Sequence, residues 1–243
     1  TKLWLDDLRL GNDPCCWVIS SVHENRKETF KKWVKCWRAQ DKIIEIKLKD
    51  IPIPIEYDHP EKHDLDRAVA AFAGLQKVEE GCPFLVVDSG TAVTIDYVDS
   101  NGRFRGGAIL PGGFSMEEAL GKKAFQLPQV SGLETSDYPA TETEKAIRLG
   151  VMYAISGAVV SCFWRIRRKM VIRGETPSTL TLILTGGDSE YLEPCLNTYF
   201  DDIEINFGQP AFRPRIFIDS QLMFKGLYGV ALGLDFDNSD SRC

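Results

Sequence analysis

The apolar positions of this chain fall into two successions of short strands and helices. WVISSV, from Trp17 to Val22, is a β-branched run suited to a buried strand. The segment HENRKETFKKWVKCW that follows places Phe30, Trp33, Val34 and Trp37 at helical spacing on one face. IIEIKL, from Ile43 to Leu48, alternates and predicts another strand. PIPIEY then resists regular structure, because its prolines lack backbone donors. From Asp64, DLDRAVAAFAGL has apolar residues at helical spacing and an acidic first turn, as a helix N-terminus favours.

The second succession opens with PFLVVD, Pro83 to Asp88. TAVTIDYVDSNGRFRGGAILPGG predicts two alternating strands joined at Asn101-Gly102, a strong hairpin signal. Ser115 and Glu118 have capping-box spacing ahead of a helix reaching about Phe125. After the polar loop QLPQVSGLETSDYPATET comes a long helix, from about Thr143 to Lys169. Then follow strand LTLILT (Leu180 to Thr185), a helix from about Ser189, strand RIFID (Arg215 to Asp219) and a last helix through Leu234. The predicted fold class is α/β. The second succession has the order of a ribonuclease-H-like lobe, as repeated in actin-like ATPases. The first has only the later half of such a lobe, with its three opening strands missing. The expected organisation is a partial first lobe over residues 1–80, a second lobe over 81–234 and a disordered tail over 235–243.

Composition narrows the classes. At 243 residues, 44% hydrophobic and 26% charged, the chain has the make-up of a globular protein with a sizeable core. Its net charge of -6 argues against a nucleic-acid partner. The basic run Arg165, Arg167, Arg168, Lys169 and Arg173 fits the solvated C-terminal end of a helix. No apolar run reaches bilayer length by this reading, and the opening TKLWLDDLRL lacks a signal-peptide pattern. Seven cysteines without a CxxC pair suggest reduced thiols and a cytoplasmic protein, not a disulfide framework.

Candidate chemistry gathers in three segments. In DSGTAVTID, a carboxylate at a strand end followed by Ser-Gly-Thr can hold a cation while offering N–H groups and a hydroxyl to phosphate. Taken alone, the same residues fit a plain hairpin turn equally well. LTGGDS places Gly186 and Gly187 after a buried strand, where a nucleotide can lie against backbone; its structural alternative is a turn capped by Asp188. DLDR suits a helix N-terminus as readily as a site. His59, His63 and Asp66 could bind a metal, but Pro60 argues against one helix face holding both rings.

Together, DSGTAVTID, NGRFRGGAILPG and SMEEALGKKAFQLP resemble the type III pantothenate kinase family, with its D-x-G-T-A-x-T turn, G-G-x-I-x-P-G strand end and A-x-L-P helix end. The resemblance extends from ISSV at Ile19 to Val22 through TEKAIRLG at Thr143 to Gly150, and implies an actin-like ATPase fold. The activity it implies is ATP-dependent phosphorylation of pantothenate to 4'-phosphopantothenate, the first step toward coenzyme A. The family's G-x-D-R motif falls on Asp64, Leu65, Asp66 and Arg67, with Asp64 in place of Gly. Asp66 inherits the general base. Tyr57, Asp64, Leu65, Asp66, Arg67 and Thr143 inherit substrate contacts, with Thr143 expected as a helix N-cap. Gly90, Thr91, Gly186 and Gly187 inherit ATP contacts. Asp88 inherits a monovalent cation, potassium or ammonium, beside ATP with Mg2+. The resemblance further implies a homodimer. The family's opening D-x-G-N strand has no match in Thr1 to Pro14. The rival expectation is therefore a non-catalytic homologue that binds pantothenate or a partner protein. A third is an actin-like phosphotransferase or phosphatase for another small molecule, against which DLDR and Tyr57 weigh.

Overall fold

The structure, a computed structural model, describes residues 13–21, 23–56, 58, 65–124, 126–133, 138–176, 180–207 and 213–239. The first succession forms β1 (Cys16–Ile19), α1 (Glu24–Trp37), β2 (Lys42–Glu45), a 3-10 turn (Leu48–Asp50) and α2 (Leu65–Leu75). β1 and β2 pair in parallel, Trp17 opposite Ile43, so α1 is the crossover that a parallel pair requires. Pairing ends at Ile19, before the end of WVISSV, which leaves Ser20 for a side-chain contact. β2 stops at Glu45, not Leu48: Asp50 Oδ2 accepts the Lys47 N–H at 2.8 Å and folds the chain into the short turn. Trp17 packs edge-on against Phe30 and Trp33, with centroids 5.4 and 6.4 Å away. Trp37, expected on that face, is 74% exposed at the last residue of α1.

The second succession forms β3 (Phe84–Ser89), β4 (Ala92–Val98), β5 (Phe104–Pro111), α3 (Gly113–Lys123), α4 (Thr143–Ile172), β6 (Thr181–Thr185), α5 (Ser189–Phe207), β7 (Arg215–Ile218) and α6 (Leu222–Ser239). Its five strands lie in the order β5-β4-β3-β6-β7. The first two joints are antiparallel and the last two parallel, the ribonuclease-H-like arrangement expected. The β4–β5 hairpin turns at Asn101-Gly102, where Gly102 has φ 70° and Asp99 Oδ1 accepts the N–H groups of Asn101 and Arg103.

β3 sets the layers by its period of two. Phe84 and Val86 face α2 and α6, in a cluster with Val69, Ala73, Leu222 and Val230 that also takes in Ile44 and Ile53. Leu85 and Val87 face α4 and α5, with Met152, Ile155, Phe163, Leu192 and Leu196. α4 corrects one expectation, because it contains a window long and apolar enough to cross a bilayer, of mean hydropathy 1.7. Half of that window is buried, and Val151, Met152, Ile155 and Val159 belong to this core. α6 runs on to Ser239, into the stretch expected to be a disordered tail. The Ser115–Glu118 capping box does not form. α3 begins at Gly113 with Gly112 as its N-cap, while Ser115 Oγ donates to Thr91 O at 2.8 Å and Glu118 pairs with Lys122.

One buried group works against the fold. Glu117 lies on the inward face of α3, 1% exposed, and neither carboxylate oxygen has a hydrogen-bond partner. Burial pushes its carboxyl above the ordinary carboxylate range, with the charge of Arg148 opposing this and that of Asp188 adding to it. The folded state thus binds this proton more tightly than the unfolded chain. Stability is therefore lost as pH rises above the unfolded value of about 4.3. Glu117→Gln removes the charge and keeps the shape, so it should raise the thermal midpoint at pH 7.5 by about 2–4 °C. The gain should vanish near pH 4, and a midpoint series across pH measures both.

Candidate functional site

The site forms at the carboxyl ends of the parallel neighbours β3 and β6, the end of the sheet where ligands of α/β folds usually bind. Asp88 is the penultimate residue of β3, opposite Thr94 of β4 and Thr185 of β6. The turn from Asp88 to Thr91 is tied on both sides. Its Ser89 carbonyl accepts the Asp188 N–H at 3.1 Å, and its Thr91 carbonyl accepts the Gly112 N–H at 3.0 Å besides the Ser115 hydroxyl. The Thr91 side chain is left exposed.

Close backbone packing makes these ties possible. At Gly186, with φ 87°, a Cβ would come within 2.3 Å of Ser89 O and 2.5 Å of Asp88 Oδ1. That conformation and that distance both require glycine. At Gly112 a Cβ would meet Gly90 O. The N-termini of α3 and α5 therefore abut the Asp88–Thr91 turn, and their positive dipole ends suit an anion.

The first turn of α2 faces this turn. Asp66 is exposed and accepts a 3.0 Å hydrogen bond from Ser20 Oγ at the end of β1. Asp88 is half-buried, and its carboxyl is pushed above the usual range by burial and then by the charges of Asp66 and Asp96. Such a carboxylate suits a cation, whose charge would offset both burial and repulsion.

Arg67, expected as a substrate contact, is engaged within the protein. Its guanidinium is forked onto the buried Asp96, with Nε 3.1 and 3.2 Å from the two oxygens and Nη2 2.6 Å from Oδ1. Leu65 is buried in the core, 6% exposed. Gly90 lies within the Asp88–Thr91 turn and Gly186 packs against it, with Gly187 next in sequence. Thr143 is the first helical residue of α4, not its N-cap; that place belongs to Glu142, whose side chain makes no capping bond. The described contacts do not bring Thr143 to the Asp66–Asp88 group. Tyr57, Asp64, His59 and His63 lie outside the described residues.

Reading the sequence alone missed Ser20, Asp96 and Gly112. Asp96 is in phase with Thr94, on the polar side of the alternation set by Val93 and Ile95, so it had no signal of burial. Ser20 had none, because its partner is remote in the chain.

Comparison with known proteins identifies the family. A family model described as type III pantothenate kinase matches residues 4–165. The type III pantothenate kinase of Rubrobacter xylanophilus is 34% identical over 179 residues, 73% of this chain and 61% of that protein. The type III pantothenate kinase of Persephonella marina is 37% identical over 175 residues, 72% of this chain and 66% of that protein. The chain thus spans less than two thirds of the length of these relatives. Among solved structures, a conserved putative Baf family transcriptional activator from Campylobacter jejuni superposes with a TM-score of 0.55 at 22% identity, covering 96% of this chain and 88% of that one. That likeness speaks for the fold. With the motif segments converging on one site and the family model covering most of the chain, this protein belongs to the type III pantothenate kinase family.

Proposed function

We propose that this protein transfers the γ-phosphoryl group of ATP to the hydroxyl of pantothenate, giving 4'-phosphopantothenate and ADP. The observation that supports the reading is that Arg67, next to Asp66 in the first turn of α2, is bonded to Asp96 of β4, the strand paired with the β3 segment that carries Asp88. Asp66 is the proton acceptor: the substrate hydroxyl gives its proton to the carboxylate as its oxygen bonds to the γ-phosphorus. The bond to the β-phosphate oxygen breaks, and ADP leaves with the electron pair. Gly90, Thr91, Gly186 and Gly187 cradle ATP, taken as its magnesium complex, with help from the N-termini of α3 and α5. Asp88 holds a monovalent cation, which supplies charge compensation between the carboxylate and the phosphates. Thr143, Tyr57 and Asp64 are further substrate contacts in this proposal, and the active form is a homodimer.

Phosphopantothenate formation from ATP and pantothenate tests the reading directly; binding of pantothenate without product would instead mark a non-catalytic homologue. Asp66→Asn keeps the size of the side chain and removes the proton acceptor. Its kcat should fall by about two orders of magnitude or more, with pantothenate affinity nearly unchanged. Near-normal turnover in that variant would remove Asp66 from its role. Exchanging potassium for sodium should sharply lower the rate of the unaltered protein, and Asp88→Ala should abolish both the salt dependence and most of the activity. Equal rates in the two salts would defeat the assignment of Asp88.

A further inference from the structure

Three motif segments remote in sequence meet at one buried charge. Asp96 is the last residue of DSGTAVTID and is 1% exposed. Arg67 is the last residue of DLDR, its side chain 13% exposed, and its fork closes on Asp96. The guanidinium stands 5.6 Å from the ring centroid of the fully buried Phe104. Opposite Asp96 on β5 is Gly107, where a Cβ would come within 2.6 Å of Asp96 Oδ1 and 2.0 Å of Ile95 O. The space for this ion pair therefore depends on the missing side chain at Gly107.

The pair acts on the residue beside it. Arg67 follows Asp66 in the first turn of α2, so whatever holds the guanidinium also holds the backbone that carries the candidate base. On its other side that turn is tied to β1 through the Ser20–Asp66 bond. Asp66 is thus suspended between the small sheet and the large one. A guanidinium with Nε and Nη2 already donating to a buried carboxylate is poorly disposed to bind a substrate carboxylate with the same atoms.

We propose that Asp96 is a positioning residue: through Arg67 it fixes the first turn of α2, and so sets where the Asp66 carboxylate stands relative to the Asp88–Thr91 turn. The catalytic consequence rests on the pantothenate kinase reading; the mechanical one does not.

The test compares Asp96→Asn, Arg67→Gln and the double variant in the full chain, by steady-state kinetics and by amide hydrogen exchange over residues 65–70. Asp96→Asn should lower kcat about tenfold while the KM for pantothenate stays within roughly twofold, and the kcat of the double variant should be no worse than that of the poorer single. Exchange in the first turn of α2 should quicken in all three, with β3 and β6 still protected. Removing one partner of a buried pair can prevent folding, so Arg67→Lys, which keeps the charge and loses the fork, is added and should share the kcat loss. An intact kcat in Asp96→Asn and Arg67→Lys would overturn the proposal, whatever the KM of the Arg67 variants. Unchanged exchange in α2 would overturn it as well. If the unaltered protein forms no phosphopantothenate, the kinase reading fails, and exchange alone decides whether Asp96 holds the helix.

Discussion

Burial of β3 on both faces is the constraint around which the rest of the structure is arranged. Its residues alternate between two apolar clusters, one shared with α2 and α6 and the other with α4 and α5. Every large side chain along it is below 2% exposed, so each contributes close to a full transfer free energy, on the order of 1.5–3 kcal/mol. A strand fixed from both sides cannot slip by one residue, since a slip would exchange its two faces. The position of Asp88 follows from that register. So does the meeting of α3 and α5 with the turn beyond it.

The charges near this end are arranged against an apolar background. Asp66, Asp88 and Asp96 face one another, and only Asp96 is matched by a forked guanidinium within the core. Breaking a buried pair of this kind typically costs about 3–5 kcal/mol, because a charge is left without its partner. Asp88 is different. It is half-buried and flanked by like charges, which disfavours its ionised form. Glu117 is buried under α3 without a hydrogen-bond partner. One set of carboxylates therefore includes a group held by a forked guanidinium, a half-buried group among like charges, and an exposed group bonded to Ser20.

Much of this was legible in the residues. The strand and helix order, the Asn101-Gly102 hairpin, the buried alternation of PFLVVD and the motif segments around Asp88 all depend on local periodicity or turn chemistry, which act over a few residues. Errors came where a side chain had a choice of partner. Ser115 has the spacing of a capping residue, yet its hydroxyl goes to Thr91 O because the β3–β4 turn packs against the start of α3. The long apolar window of α4 has a composition compatible with a bilayer or a core, and packing against the sheet chose the core. Trp37 continues the apolar spacing of α1, but the helix ends there and no layer covers it.

Local sequence alone thus determined the elements, the fold class and the family, because periodicity and motif spacing are properties of neighbouring residues. Tertiary structure decided what Arg67 holds, what holds Asp66 and which carboxylate is left half-buried among like charges. Arg67 and Asp96 are 29 residues apart, and Ser20 and Asp66 are 46 apart. Which charged groups meet over such separations depends on how the sheet and helices pack, since electrostatic partners are chosen by distance in space and by the water excluded between them.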